Sequence, residues 1–231
     1  NYDTPNFSGF QGHFAYSAAN VTGTAATNAS TSAKPRIWSV AALYNNGPLA
    51  LGLGYEKHLE FGAVGGSNDD HAWALSGSYT FMGKVKVGGS YNRQNYDQGA
   101  GVSSEKKSWT LGVDWNFFGP HSVYGNYAKT DDISGTAGAP AIGSGNAFSS
   151  GIPAVGANTG AHVWKIGYQH KFSKRTDGKL AYVRLNNDSA ASYTLNGLTG
   201  NQTTTAPGGL TAAQANGRSQ DAWVMLIRHS F

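Results

Sequence analysis

The sequence predicts an all-β fold, a transmembrane antiparallel up-and-down β-barrel, from three observations. Apolar and polar residues alternate with a period of two in one segment after another, as in strands with two different faces. These segments run to roughly ten residues, about the length that crosses a bilayer at a tilt. Short turns alternate with long polar loops, which is typical of barrels in bacterial outer membranes.

Six segments alternate clearly, and each keeps its large apolar residues on one parity: 49–55, 73–81, 85–91, 109–117, 164–172 and 223–231. In the clearest one, Trp109, Leu111, Val113, Trp115 and Phe117 alternate with Ser108, Thr110, Gly112, Asp114 and Asn116. Four weaker segments, to which the pattern assigns no facing, are 10–16, 38–44, 123–127 and 180–185. Ten strands and no helix are therefore predicted.

The connections differ in length in a regular way. Four tight turns carry Gly, Asn or Pro, at 45–48, 82–83, 119–120 and 173–178. The links between them are longer and rich in Gly, Ala, Ser, Thr and Asn, at 19–34, 60–69, 97–106, 131–160 and 187–220. In outer-membrane barrels the short turns face the periplasm and the long loops face outside.

The composition excludes several classes of protein. The 231 residues fit one domain, predicted over 1–231. There is no cysteine, which excludes disulfides, cysteine-bound zinc and thiol catalysis. The net charge of +4 is small and the Lys and Arg residues of the chain are scattered, so a nucleic-acid partner is not predicted. No apolar run approaches the ~20 residues of a membrane helix.

A soluble β-sandwich also alternates apolar and polar residues, so period alone does not decide between the two folds. The barrel is favoured by strand length, by the unequal connections and by an apolar parity without mid-strand charge. Aromatic residues near strand ends support it further, because such rings prefer the headgroup level of a bilayer. The candidates for this lipid interface are Tyr55, Tyr79, Phe81, Trp109, Phe117 and Trp223.

Three short stretches resemble a known family. The opening NYDTPNFSGF, the closing IRHSF and the internal GYQHKF are similar to segments of the trimeric general porins of Gram-negative bacteria, particularly the β-proteobacterial type. The resemblance implies a barrel of about sixteen strands, of which this chain is the carboxyl-terminal ten. About six upstream strands, with the constriction loop, are then expected outside residues 1–231.

The resemblance also implies a function and partners. It implies a homotrimer in the outer membrane, in contact with outer-membrane lipid, that passes small hydrophilic solutes and ions by passive diffusion. In this family a terminal Phe is an assembly signal, which here is Phe231. No catalytic residue, cofactor or metal site is implied.

Charged residues on the polar parity are the candidate pore-lining groups: Lys84, Lys86, Asp114, Lys165, Lys171 and Arg228. Rings of Lys and Arg in a pore favour anions, so an anion preference is predicted. Two alternatives stay open. One is a small barrel with a protease-like acidic site at its rim, built from Asp69, Asp70 and His71 or from Asp131 and Asp132. The other is a structural or adhesive barrel.

Overall fold

A computed structural model describes residues 1–18, 36–59, 69–97, 101–137, 155–193, 195 and 216–230. Within these ranges the chain forms twelve strands that share one antiparallel sheet. The described residues include no helix long and apolar enough to cross a membrane. The fold is therefore an antiparallel, up-and-down all-β sheet, as the period of two predicts.

Ten strands are long and two have only two residues. The long strands are β2 (Phe10–Ala18), β3 (Arg36–Asn46), β4 (Leu49–Leu59), β5 (Asp69–Phe81), β6 (Val85–Asp97), β7 (Ser103–Phe118), β8 (His121–Thr130), β10 (Ala161–Lys171), β11 (Thr176–Asn187) and β12 (Gln220–His229). They correspond one for one to the ten predicted strands. The short strands, β1 (Tyr2–Asp3) and β9 (Ser134–Gly135), are too short to show a period and were not predicted.

Each long strand pairs with the next long strand along the chain. The strand β1 extends the sheet beyond β2, while β9 pairs with the start of β7. The register runs without interruption except at one irregularity between Asn116 and Phe118. Within the described residues β12 pairs only with β11, so the sheet is an open strip of barrel wall.

All four short turns lie at one end of the sheet, here named the turn end, and the strand ends that flank the long links lie at the other, the loop end. At the turn between β5 and β6, Met82 and Gly83 both have positive φ angles of 48° and 67°. Two consecutive residues in this region give the backbone twist that suits a tight hairpin. Glycine supplies that conformation without strain at the second position.

Three predicted boundaries are wrong. The turn predicted over 45–48 is shorter, because β3 extends to Asn46. The turn predicted over 173–178 is shorter, because β11 begins at Thr176. The loop predicted over 97–106 is also shorter, because β7 begins at Ser103 and pairs there with Asp97. At 97–106 and at 173–178 the strand continues past its run of alternating apolar residues. Both of its faces are polar there, so the period of two disappears.

The register settles the facing of the four weak strands. The residue Tyr16 lies opposite Trp38, which places the even residues of β2 and β3 on the apolar face. Likewise Tyr127 lies opposite Trp164, and Tyr182 lies opposite Trp223. The apolar face of β8 is therefore odd and that of β11 is even.

One glycine in a strand is required by a close cross-strand approach. The residue Gly167 lies opposite Tyr124, and a Cβ at this position would overlap three atoms of the tyrosine ring. The same ring lies under the Lys165 ammonium, whose Nζ is 5.4 Å from the ring centroid. The missing side chain thus lets the ring lie flat against β10.

Replacing this glycine is expected to destabilise the sheet. Gly167→Ala should cost about 1–3 kcal/mol, since the added methyl group forces Tyr124 out of its position. The matched control is Gly54→Ala on the same face of β4, where a Cβ meets no atom within 4 Å. Urea unfolding of both variants in lipid vesicles measures the difference, and an equal free energy of unfolding for the two would contradict this role for Gly167.

Candidate functional site

The sheet has two chemically different faces. On the apolar face, Leu53, Leu111 and Ile166 are 52%, 56% and 59% exposed. They belong to a continuous surface of large apolar side chains that extends over all ten long strands. A surface of this extent is unusual for a protein in water and suits contact with lipid. This exposure argues against the soluble sandwich, whose apolar faces would be buried against each other.

The loop end of the apolar face carries one aromatic residue from each long strand. In strand order this loop-end aromatic row consists of Tyr16, Trp38, Tyr55, Trp73, Tyr91, Trp109, Tyr127, Trp164, Tyr182 and Trp223. Strands that run towards the loop end carry Tyr and returning strands carry Trp. Neighbouring rings contact each other, for example Trp73 and Tyr91 with centroids 5.2 Å apart. Tilted pairs at this distance are favourable beyond their burial.

A second row lies near the turn end and includes Tyr79, Phe81, Trp115, Phe117 and Tyr168. The rings of Tyr79 and Phe81 are 4.7 Å apart, and those of Trp115 and Phe117 are 5.6 Å apart. On β7, Trp109 and Phe117 are separated by about 27 Å along the strand at roughly 3.4 Å per residue. A tilt of about 40° reduces this to about 21 Å of height, near the ~25 Å of a bilayer's apolar band.

The structure distributes the six predicted interface aromatics over both rows. It places Tyr55, Trp109 and Trp223 in the loop-end aromatic row, and Tyr79, Phe81 and Phe117 near the turn end. The sequence analysis did not select the other members of the loop-end aromatic row as candidates for the lipid interface. Their common height depends on the register, which the sequence alone does not give.

Ion pairs begin directly beyond the loop-end aromatic row, on the same face. Lys57 Nζ lies 2.9 Å from Asp69, and Lys107 Nζ lies 2.7 Å from Glu105, which also pairs with Arg93. Two further pairs continue the series, Lys129 with Asp131 at 3.3 Å and Arg184 with Asp221 at 3.6 Å. Exposed pairs contribute little stability, about 0–1 kcal/mol each. Their position marks where the apolar band gives way to water.

The polar face holds the candidate site. Its residues in β4 to β8 are mostly small or uncharged, such as Gly52, Ser76, Ser90 and Thr110, with the last two joined by a 2.8 Å hydrogen bond. Among the described strands, the cations on this face are Lys86, Lys106, Lys165, Lys171, Lys179 and Arg228. The acids on it are Asp3, Glu56, Asp70, Asp114 and Asp177.

These charges are not evenly spread. All six cations lie on β6 to β12, together with only Asp114 and Asp177. The remaining three acids lie on β1 to β5, where the described part of the face has no Lys or Arg. Two of these acids contact histidines, Asp3 with His13 at 2.6 Å and Glu56 with His58 at 2.8 Å. The polar face is therefore basic over β6 to β12 and acidic over β1 to β5.

The two acids within the basic region are matched by cations. The Arg228 guanidinium donates to Asp177 at 2.7 and 2.8 Å, and Gln169 donates to the other carboxylate oxygen at 3.1 Å. Lys86 lies directly opposite Asp114 in the register. Since these acids are offset, the basic region keeps a positive excess.

The structure places five of the six predicted pore-lining residues on the polar face: Lys86, Asp114, Lys165, Lys171 and Arg228. Lys84 lies in the turn between β5 and β6, so alternation does not determine its direction. Sequence reasoning missed Lys106 and Lys179. The first falls in the predicted loop 97–106, and the second follows a predicted turn in a strand whose facing was open.

Polypeptide at the loop end folds over part of the polar face. On β11, Ala181, Val183 and Leu185 face this side and are buried. The segment 188–193 is anchored beside them, because Asn187 and Gln220 both donate side-chain hydrogen bonds to the Tyr193 carbonyl, at 2.9 and 3.2 Å.

Tyr193 in this segment contacts the basic region directly. The Lys106 ammonium lies 4.8 Å from the centre of its ring, within the range of a cation–π contact. Burial removes water from the phenol and raises the pKa of Tyr193 to about 12. The neighbouring loop is packed as well, since Ile133 is 1% exposed and its N–H donates to Thr159 at 2.8 Å.

The acidic groups weighed for an enzymatic rim site do not converge. Asp69 and His71 lie on the apolar face, where they contact Lys57 and Asn95, whereas Asp70 between them faces the opposite side. Asp132 accepts three backbone hydrogen bonds from residues 158–160, at 2.8 to 3.0 Å. It therefore closes a loop. Among the described residues, no three His, Cys, Asp or Glu side chains are grouped to hold a metal ion.

The sheet has a lipid-facing apolar surface, aromatic rows at two heights and a hydrophilic opposite face. These features define the wall of a transmembrane β-barrel. A family model described as Gram-negative porin matches residues 1–191. The chain therefore belongs to the Gram-negative porin family, whose members are outer-membrane proteins. This membership points to a channel rather than an enzyme.

Solved structures agree with this assignment. The anion-selective porin from Comamonas acidovorans is 27% identical with a TM-score of 0.69, and the match covers 100% of this chain and 58% of that one. A porin refined at 1.8 Å resolution is 17% identical with a TM-score of 0.52, covering 79% and 54%. The outer-membrane expressed OmpT of Vibrio cholerae is 15% identical with a TM-score of 0.56, covering 97% and 62%. These last two show the fold alone. No curated protein sequence matches the chain.

The facing of the sheet can be tested with two adjacent residues. Leu75→Lys puts a charge on the apolar face between the two aromatic rows and should cost about 2–4 kcal/mol in a bilayer. Ala74→Lys puts the same charge on the polar face, next to Gly54, and should be nearly neutral. Equilibrium unfolding in phospholipid vesicles compares them. A larger cost for Ala74→Lys would reverse the assignment of the faces.

Proposed function

We propose that the full-length protein forms a water-filled pore through which small hydrophilic solutes and ions diffuse passively, with a preference for anions and without catalysis. In this proposal residues 1–231 form one barrel domain together with the rest of the wall. The Comamonas acidovorans porin supports it, because that protein is anion-selective and the similarity to it covers 100% of this chain. The chain spans 58% of that porin, so the pore as a whole needs more wall than these residues supply.

The observation that carries the anion preference is the excess of cations on β6 to β12. In that region six Lys or Arg side chains share the polar face with two acids, both matched by a cation. A concave surface of one charge sign raises the local concentration of counter-ions, and rings of Lys and Arg select anions. We propose Lys86, Asp114, Lys165, Lys171 and Arg228 as pore-lining residues, with Lys106 and Lys179 added.

The small side chains on the same face support a channel over a filled barrel. Gly52, Gly54, Ala74 and Ser76 form a patch on β4 and β5 with little side-chain volume. Such residues leave space for water, as expected in a large barrel, whereas small barrels fill their interior with bulky side chains. The acids Glu56 and Asp70 at the loop end of this patch oppose anions locally, so selectivity depends on the basic region lying nearer the solute's path.

Assembly is also part of the proposal. We propose a homotrimer, in line with the resemblance to trimeric porins, with the aromatic rows at the headgroup levels of the surrounding lipid. The predicted assembly signal Phe231 lies outside the described residues and remains a prediction. Single-channel recordings bear on the trimer, because three pores in one assembly should close in three equal conductance steps.

The ion preference can be read from a reversal potential. With the full-length protein in a planar bilayer under a tenfold KCl gradient, we expect the sign that corresponds to chloride preference. The double variant Lys86→Gln with Lys165→Gln should move the reversal potential towards cations, because two charges leave the basic region. Lys174→Gln, in the turn between β10 and β11, is the matched control and should leave it unchanged. Cation preference of the wild type would refute the proposal.

A further inference from the structure

Three side chains with metal-binding chemistry meet at the turn end of the apolar face. His121 begins β8, and His170 lies directly opposite it on β10, with Tyr168 two residues earlier on the same face. The Tyr168 hydroxyl lies 2.5 Å from His121 Nδ1 and 3.5 Å from His170 Nδ1. The two Nδ1 atoms are 3.3 Å apart. All three atoms are therefore within 3.5 Å of one another.

The spacing of the two nitrogens matches that of ligands on one ion. Imidazole nitrogens bind zinc at about 2.0–2.1 Å, and two ligands at that length and a tetrahedral angle are about 3.3–3.4 Å apart. The observed 3.3 Å lies in this range. Both Nδ1 atoms are turned towards each other and towards the phenol oxygen, although the rings lie at the protein surface. When both ring protons are on Nε2, each Nδ1 carries a lone pair and the Tyr168 hydroxyl donates to His121 Nδ1, so the phenol has to give up this hydrogen bond to become a ligand.

Neighbouring aromatic rings fix the orientation of both imidazoles. Phe118 stacks on His121 with an angle of 14° between planes, and Phe117 lies 6.1 Å from the same ring. Phe172 meets His170 edge to face at 4.6 Å. A ligand set held in place before the ion arrives loses less conformational freedom on binding.

We propose that His121, Tyr168 and His170 form a site for a first-row divalent transition metal, with Cu²⁺ bound more tightly than Zn²⁺. Imidazole suits both ions, and the general order of stability places copper first. Water completes the coordination, because Tyr168 is 39% exposed and the site lies at the turn end of the strands. If the phenol binds as phenolate, its proton passes to solvent. The site is separate from the polar face and does not depend on pore selectivity.

Titration of the full-length protein tests the site. The protein is purified without an affinity tag, treated with EDTA, exchanged into metal-free detergent buffer and titrated with CuCl₂ and with ZnCl₂ by calorimetry. We expect one equivalent per chain, with affinity reduced about tenfold or more in His121→Ala and in His170→Ala. His162→Ala is the matched control, since His162 stacks on Tyr127 at the other end of β10. Wild-type affinity in both variants, or no binding by the wild type, overturns the proposal.

Spectra of the wild type test the ligands without relying on a folded variant. Electron paramagnetic resonance of the copper-loaded protein should show coupling to two nitrogens. A phenolate-to-copper absorption band should be present in the wild type and absent in Tyr168→Phe. Absence of the nitrogen coupling overturns the paired imidazoles, and a band that persists in Tyr168→Phe overturns the phenol ligand.

Discussion

Backbone N–H and C=O groups that cross a bilayer have to bond within the protein, because hydrocarbon offers them no partner. The pairing of each long strand with the next from β2 to β12, with one irregularity between Asn116 and Phe118, follows from this constraint. Once the backbone is fixed as a sheet, side chains have only two directions available, and those two directions meet lipid and water. The period of two in the sequence is thus a consequence of the hydrogen bonding as much as of hydrophobicity.

Charge placement follows the same division. Among the described residues, the apolar face has no ion pair between the two aromatic rows, and ion pairs begin beyond the loop-end aromatic row, with Lys57 and Asp69. The polar face has charges along its whole height, from Asp70 at the loop end to Arg228 at the turn end. A charged group thus faces the polar side of the sheet within the apolar band, and on the other side it marks where that band ends. The same residue types are placed differently according to the face of the strand and the distance from the loop-end aromatic row.

The sequence was sufficient to predict the ten long strands, because each one crosses the apolar band. There the apolar and polar side chains of a strand differ most clearly between its two faces. It failed where strands leave that band. The start of β7 is polar on both faces, so Lys106 was assigned to a loop and its contact with Tyr193 could not be foreseen. The His121, Tyr168 and His170 cluster was hidden for another reason. It joins residues 47 and 49 positions apart, and only the register of β8 with β10 brings them together.

The loop-end aromatic row also separates the strands, whose register is fixed, from the long links, whose length can vary. Each long link joins a strand with a Tyr towards its end to a strand with a Trp towards its start, and these two residues are opposite each other in the register, as Tyr91 is to Trp109. The hairpin is therefore closed beneath the link by residues in the membrane. Lengthening a link costs only slowly growing closure entropy. The links can therefore change in length while the strands beneath them keep their register.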